Sequence, residues 1–161
     1  MSDQSFADLL PQLMPPAVEW AESQEAAILR DGRGLDAAER RVAAAVGVRE
    51  PELVRLLVVA RIPEPDHHPL LANACATLGF LGAGTAGLTL GRGVYLQKDA
   101  FALSRRLLPH ELRHVAQYEE AGGVAAYLAR YIPELLQYGY DAAPFEVDAR
   151  RAEASSPSDG A

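Results

Sequence analysis

The sequence predicts an α+β domain with a short mixed or antiparallel sheet, and three observations carry that prediction. Val54-Arg55-Leu56-Leu57-Val58-Val59-Ala60-Arg61-Ile62 is rich in β-branched residues and ends before Pro63, which marks a strand over 54–62, placed centrally. Leu88-Thr89-Leu90 and Val94-Tyr95-Leu96 flank Gly91-Arg92-Gly93, a hairpin within 87–97. The helical patterns come in blocks before and after these strands, which argues against a regular βαβ alternation.

Taken in order, residues 1–15 carry prolines and little pattern beyond a short helix near 6–10. Val18, Ala21, Ala26, Ile28 and Leu29 support an amphipathic helix over 16–30, opened by Pro15-Pro16. Asp31-Gly32-Arg33-Gly34 reads as a turn, and 35–46 as a second helix stopped at Gly47. The loop 63–69 holds His67 and His68. Adjacent histidines cannot both face one metal from regular structure, so both are expected in solvent. Residues 70–78 read as helical and 79–87 as a glycine-rich loop. One or two helices span 101–120. Gly122-Gly123 breaks the pattern before a helix over 124–138, and a last helix follows Pro144 near 145–153. Residues 1–154 are expected to form one domain, and the Ser/Pro/Gly tail 155–161 to be disordered.

Composition narrows the function. The chain has 161 residues, 49 % of them apolar, as in globular proteins, and can bury a real core. A formal charge of −7 with scattered arginines offers no basic patch for nucleic acid. A single cysteine, Cys75, excludes an internal disulfide and suits a reducing compartment; it reads as a small buried apolar residue. The segment 69–91 lacks charge, but its glycines and threonines make it a poor membrane span. No signal-peptide pattern opens the chain, so no membrane insertion and a cytoplasmic location are expected.

One stretch names a chemistry. His110-Glu111-Leu112-Arg113-His114 is an HExxH pattern. Four positions are a little over one helical turn, so both imidazoles project from one helix face and can bind one Zn²⁺. Glu111 stands beside the first histidine, where it can take a proton from a metal-bound water. Leu107, Leu108, Leu112, Val115 and Ala116 recur at helical spacing and can bury the other face. Pro109 is expected to end or kink a helix near Leu108, leaving the motif intact beyond it. The reading is a zinc hydrolase, most often a peptidase.

Two histidines leave such a site one protein ligand short. Glu120 lies where metzincins place a third histidine, but the glycine that turns that chain back is here Gln117, so Glu120 is discounted. Glu134 can fold back on an antiparallel helix, and Glu146 and Asp148 open the last helix. For the oxyanion, Tyr138 and Tyr140 follow the 124–138 helix as candidate donors. Gln117 lies near the histidine face without an assigned role.

The segment His110–Tyr118, HELRHVAQY, followed by GYDAAPFEVDA over 139–149, resembles gluzincin metallopeptidases, and in particular small bacterial proteins with HELxHxxQ and PxExxA segments. TAGLTLGRGVYL over 85–96 resembles the hairpin that precedes the active helix in such proteins, where an edge strand lines the cleft. The likeness covers about residues 52–152. It implies a small zincin-like domain, a zinc held by His110, His114 and Glu146, Glu111 as general base, and a peptide or protein substrate; of the two tyrosines, Tyr140 is taken as the catalytic donor from its position alone. The larger relatives, which include the membrane CAAX-prenyl proteases, carry an ExxAD-type motif. Its glutamate falls on Glu146 and its alanine on Ala149, but its aspartate position is Arg150 here. The hydrogen bond that buttresses a histidine in those proteins then needs another source, for which Asp148 is the nearest candidate. A catalytically idle zinc-binding module and a helical interaction protein are the competing readings.

Overall fold

A computed structural model describes residues 6–155 of the chain. Helix α1 spans Phe6–Asp31, and strand β1, Arg33–Gly34, follows. Helix α2 is Ala37–Ala45, and a single 3₁₀ turn at Pro51–Leu53 leads into β2, Arg55–Val59. Helix α3, Pro69–Leu78, precedes the hairpin of β3, Gly87–Leu90, and β4, Gly93–Gln97. Four helices close the chain: α4 Lys98–Leu103, α5 Leu107–Ala121, α6 Val124–Tyr138 and α7 Pro144–Ser155.

The four strands form one mixed sheet in the order β1-β2-β4-β3. β2 and β4 are parallel, whereas β1 and β3 pair antiparallel at the two edges. The α+β class, the interior strand and the hairpin therefore stand as the sequence reads them. Alternation along the strands assigns one face to each of two apolar clusters. Leu56, Val94 and Leu96 pack with Leu112, Val115 and Ala116 of α5 and with Ala43 and Val46 near α2. Tyr95, Leu88 and Leu90 point the other way, into a cluster with Ala21 and Ile28 of α1 and Leu128 of α6. The register Gly87↔Leu96 and Thr89↔Val94 puts Gly87 and Thr89 on the α5 face of β3.

Several elements differ from the sequence reading. α1 is one helix of 26 residues through Pro11, Pro15 and Pro16, instead of a short helix and a later one. Each proline removes a backbone donor, but Leu13, Ala17 and Trp20 are buried on both sides of Pro15-Pro16. That continuous apolar face outweighs the lost hydrogen bonds. Arg33-Gly34, read as a turn, pairs with Leu56 and Arg55 as a short edge strand. Pro109 neither ends nor kinks a helix, because α5 starts at Leu107 and the proline sits in the first turn, where no N–H partner is needed. The predicted tail lies outside the described residues except for Ser155, which is the last residue of α7.

Gly122 and Gly123, at φ 102° and 125°, reverse the chain between α5 and α6 in backbone regions closed to most side chains. A capping box between Asp36 and Glu39 starts α2. Among the described residues no helix is long and apolar enough to cross a membrane. Leu112 is fully buried against the sheet. Leu112→Ala is expected to cost about 2–5 kcal/mol, read as a lower urea midpoint with an unchanged slope.

Candidate metal centre

α5 is buried on most of its circumference because the sheet covers one side and α7 and α6 cover the other. His110 and His114 emerge on the covered side, and α7 brings Glu146 between them. Their ring nitrogens, Nε2 to Nε2, are 3.2 Å apart. Glu146 Oε2 is 3.2 Å from His110 Nε2, and Glu146 Oε1 is 3.3 Å from His114 Nε2. A tetrahedral zinc with bonds of about 2.0–2.1 Å separates its ligand atoms by about 3.3–3.4 Å. Each imidazole therefore stands about one edge of such a shell from the other and from one oxygen of Glu146. Among the described residues these are the group of three acidic, histidine or cysteine side chains able to share one ion.

The outer hydrogen bonds explain why the lone pairs face inward. Gln117 is 1 % exposed, and its Nε2 donates to Phe145 O at 2.9 Å and Asp148 Oδ2 at 2.8 Å. Its carbonyl is thereby committed to His114, whose Nδ1 lies 2.7 Å from Oε1. An Nδ1–H donated there leaves the Nε2 lone pair directed into the cage. His110 Nδ1 sits 3.0 Å from Glu153 Oε2 and is oriented the same way. Tyr131 donates its hydroxyl to Glu146 Oε1 at 2.7 Å.

Two imidazole lone pairs aimed at one point repel unless a positive charge lies between them, and the basicities of the groups reflect this. Burial disfavours charge on His114, but the hydrogen bond and charge of Glu146 and the charge of Glu111 overcome it, pushing the imidazole up to about 9. Glu146 is also buried, yet hydrogen bonds from both histidines, the charge on His114 and Tyr131 hold its carboxyl well below the usual carboxylate range.

Glu111 is 5 % exposed and lies against β3. Thr89 Oγ1 is 2.7 Å from its Oε2. Gly87 leaves the remaining space: a Cβ there would stand 2.6 Å from Glu111 Oε1. Burial raises the Glu111 carboxyl above its ordinary value, against the opposing charges of the two histidines and the Thr89 hydrogen bond. An open cleft of about 530 Å³ reaches His110 and Glu111 from one side, between the 79–86 loop and Ser104, Arg106 and Glu153. A narrower apolar cavity of about 110 Å³ reaches Glu111, His114 and Glu146 from the other side.

The structure thus brings together His110, His114, Glu146 and Glu111. Tyr140 borders both the cleft and the cavity, while Tyr138 is half exposed and lines neither. Glu134 is on α6, outside the cluster, with Oε2 buried and without a partner. Glu120 forms an ion pair with Arg113 at 3.1 Å. His67 is exposed, and His68 caps α3 by accepting from Leu71 N at 3.3 Å. Cys75 borders the apolar cavity, and burial pushes its thiol up to about 11, so it is a neutral wall.

Glu153 and Tyr131 escaped the sequence reading, which noted Gln117 near the histidines but gave it no role. Glu153 is seven positions after Glu146, two helical turns along the same face, a spacing that was there to be found. Gln117 follows His114 by three positions, again on one face. Tyr131 carries no local signal. Asp148 touches no histidine and acts through Gln117 and Arg113.

Comparison with protein-family models, curated proteins and solved structures finds no match. Zinc-loaded protein is expected to hold about one ion per chain by mass spectrometry under native conditions. His110→Ala and Glu146→Ala should abolish it, and Glu153→Gln should weaken it by about 10- to 100-fold with the circular dichroism unchanged.

Proposed function

We propose that the protein is a zinc-dependent peptidase of the gluzincin type, with a zincin-like domain, acting on peptide or protein substrates. The observation that carries this reading is the placement of Glu111, a buried carboxylate beside the three-donor cage and facing the same cleft. A bound zinc supplies Lewis-acid polarisation of a carbonyl and a water of pKa near ~7. His110, His114 and Glu146 are the residues that would hold it, through Nε2, Nε2 and a carboxylate oxygen.

Glu111 accepts a proton from the attacking water and passes it to the leaving amine. Thr89 fixes the rotamer of its carboxylate, and the absence of a side chain at Gly87 lets that carboxylate lie close to the strand. The raised basicity of Glu111 suits both halves of this exchange. Tyr140, at the mouth shared by cleft and cavity, is the donor proposed for the oxyanion. The outer edge of β3 runs beside Glu111, where an extended peptide adds as a further strand. A catalytically idle zinc module is the second reading, favoured by the low exposure of Glu111 and His114.

Glu111→Gln separates the two. It is expected to retain zinc and to lose peptide cleavage by about 10²- to 10⁴-fold, measured on a degenerate peptide library by mass spectrometry. Wild type and variant with equal product profiles would establish the idle module. Gly87→Ala is expected to impair cleavage in the same assay while zinc content stays at wild-type level.

A further inference from the structure

The apolar cavity behind the cage is larger than packing requires and has one chemically distinct end. Leu13 and Trp20 of α1, Leu71 and Ala74 of α3, Leu88 of β3 and Leu135 of α6 contribute to its walls. Its charged boundary consists of Glu111, His114 and Glu146. Phe80, Leu81, Gly87, Glu111 and Tyr140 border both this cavity and the open cleft, so the two spaces adjoin at the proposed reacting centre. Leu81 is held there at φ 58°, a left-handed backbone that leucine rarely adopts, and the residue is buried. An apolar space of about 150 Å³ takes up a benzene ring, so about 110 Å³ matches a group of about four carbons.

We propose that this cavity receives one leucine-sized side chain of a peptide, adjoining the bond presented to Glu111. α1 is then part of the substrate site rather than only a cover for the sheet. The inference rests on the peptidase reading for its substrate and on the cavity alone for its selectivity. An extended acyl chain is longer than the space. An anionic side chain would face the carboxylates of Glu111 and Glu146, and a cationic one would compete with the metal for them. A glycine or alanine would leave most of the space vacant and forgo the burial that discriminates substrates.

The test uses two chelating probes on the zinc-loaded full chain, N-acetyl-leucine hydroxamate and N-acetyl-glycine hydroxamate, with affinity read by calorimetry. The leucine probe is expected to bind on the order of 10- to 100-fold more tightly, the scale of burying one such side chain. Ala74→Leu or Ala21→Leu, which fill the cavity, should bring the two probes to within about threefold. Xenon under pressure should raise the thermal midpoint of the metal-free wild type and not that of the filled variants. Should those variants fail to fold, Leu71→Ala enlarges the space and should shift preference toward a phenylalanine hydroxamate. Equal affinities for the leucine and glycine probes would overturn the pocket while leaving the metal centre standing. Failure of both probes to bind zinc-loaded protein would overturn the pocket and the peptidase reading together.

Discussion

Three donor atoms from two helices converge on a point that only a positive charge can occupy without penalty, and the surrounding structure is arranged around that constraint. His110 and His114 are placed by helical geometry alone, but their ring orientation is not. Glu153 and Gln117 set it, by occupying each Nδ1 and turning each Nε2 inward. Gln117 can do so only because Phe145 and Asp148 take up its amide hydrogens. Glu146, Glu153 and Asp148 all belong to α7. The docking of α7 on α5 is therefore what converts two histidines on a helix into a cage.

The opposite side of α5 matters as much. Leu112, Val115 and Ala116 anchor the helix on Val94 and Leu96 of the central parallel strand. That same face of the sheet presents Gly87 and Thr89 to Glu111 through the antiparallel register of β3 and β4. Sheet register thus decides the position of the proposed base, while helix docking decides the position of the proposed ligands. A one-residue slip of β3 would put Leu88 where Gly87 stands, turning a leucine side chain toward Glu111. The edge strand has little freedom to vary for this reason.

Much of this was legible in local pattern. The β-branched run at 54–62 and the turn at Gly91-Arg92-Gly93 located the sheet, and the HExxH spacing located α5 and its metal-facing side. Glu146 was singled out by its likeness to a motif, and the structure puts it within 3.3 Å of both ring nitrogens. What local pattern missed depends on contacts between distant segments. α1 crosses three prolines because α6 and the sheet hold its apolar face, a tertiary effect that propensity does not express. Tyr131 reaches Glu146 from a helix whose own periodicity marks that tyrosine only as core. The apolar cavity likewise exists only where α1, α3 and α6 meet, and no one of those segments announces it.

The central claim is that two imidazoles and one carboxylate bind a zinc ion through the atoms that now face one another. X-ray absorption at the zinc K-edge of the stoichiometrically loaded protein tests it most directly. The account predicts a four-coordinate shell of nitrogen and oxygen at about 2.0–2.1 Å, with the outer-ring scattering of two histidines. A shell containing sulfur at about 2.3 Å, or one of oxygens without imidazole scattering, would contradict it.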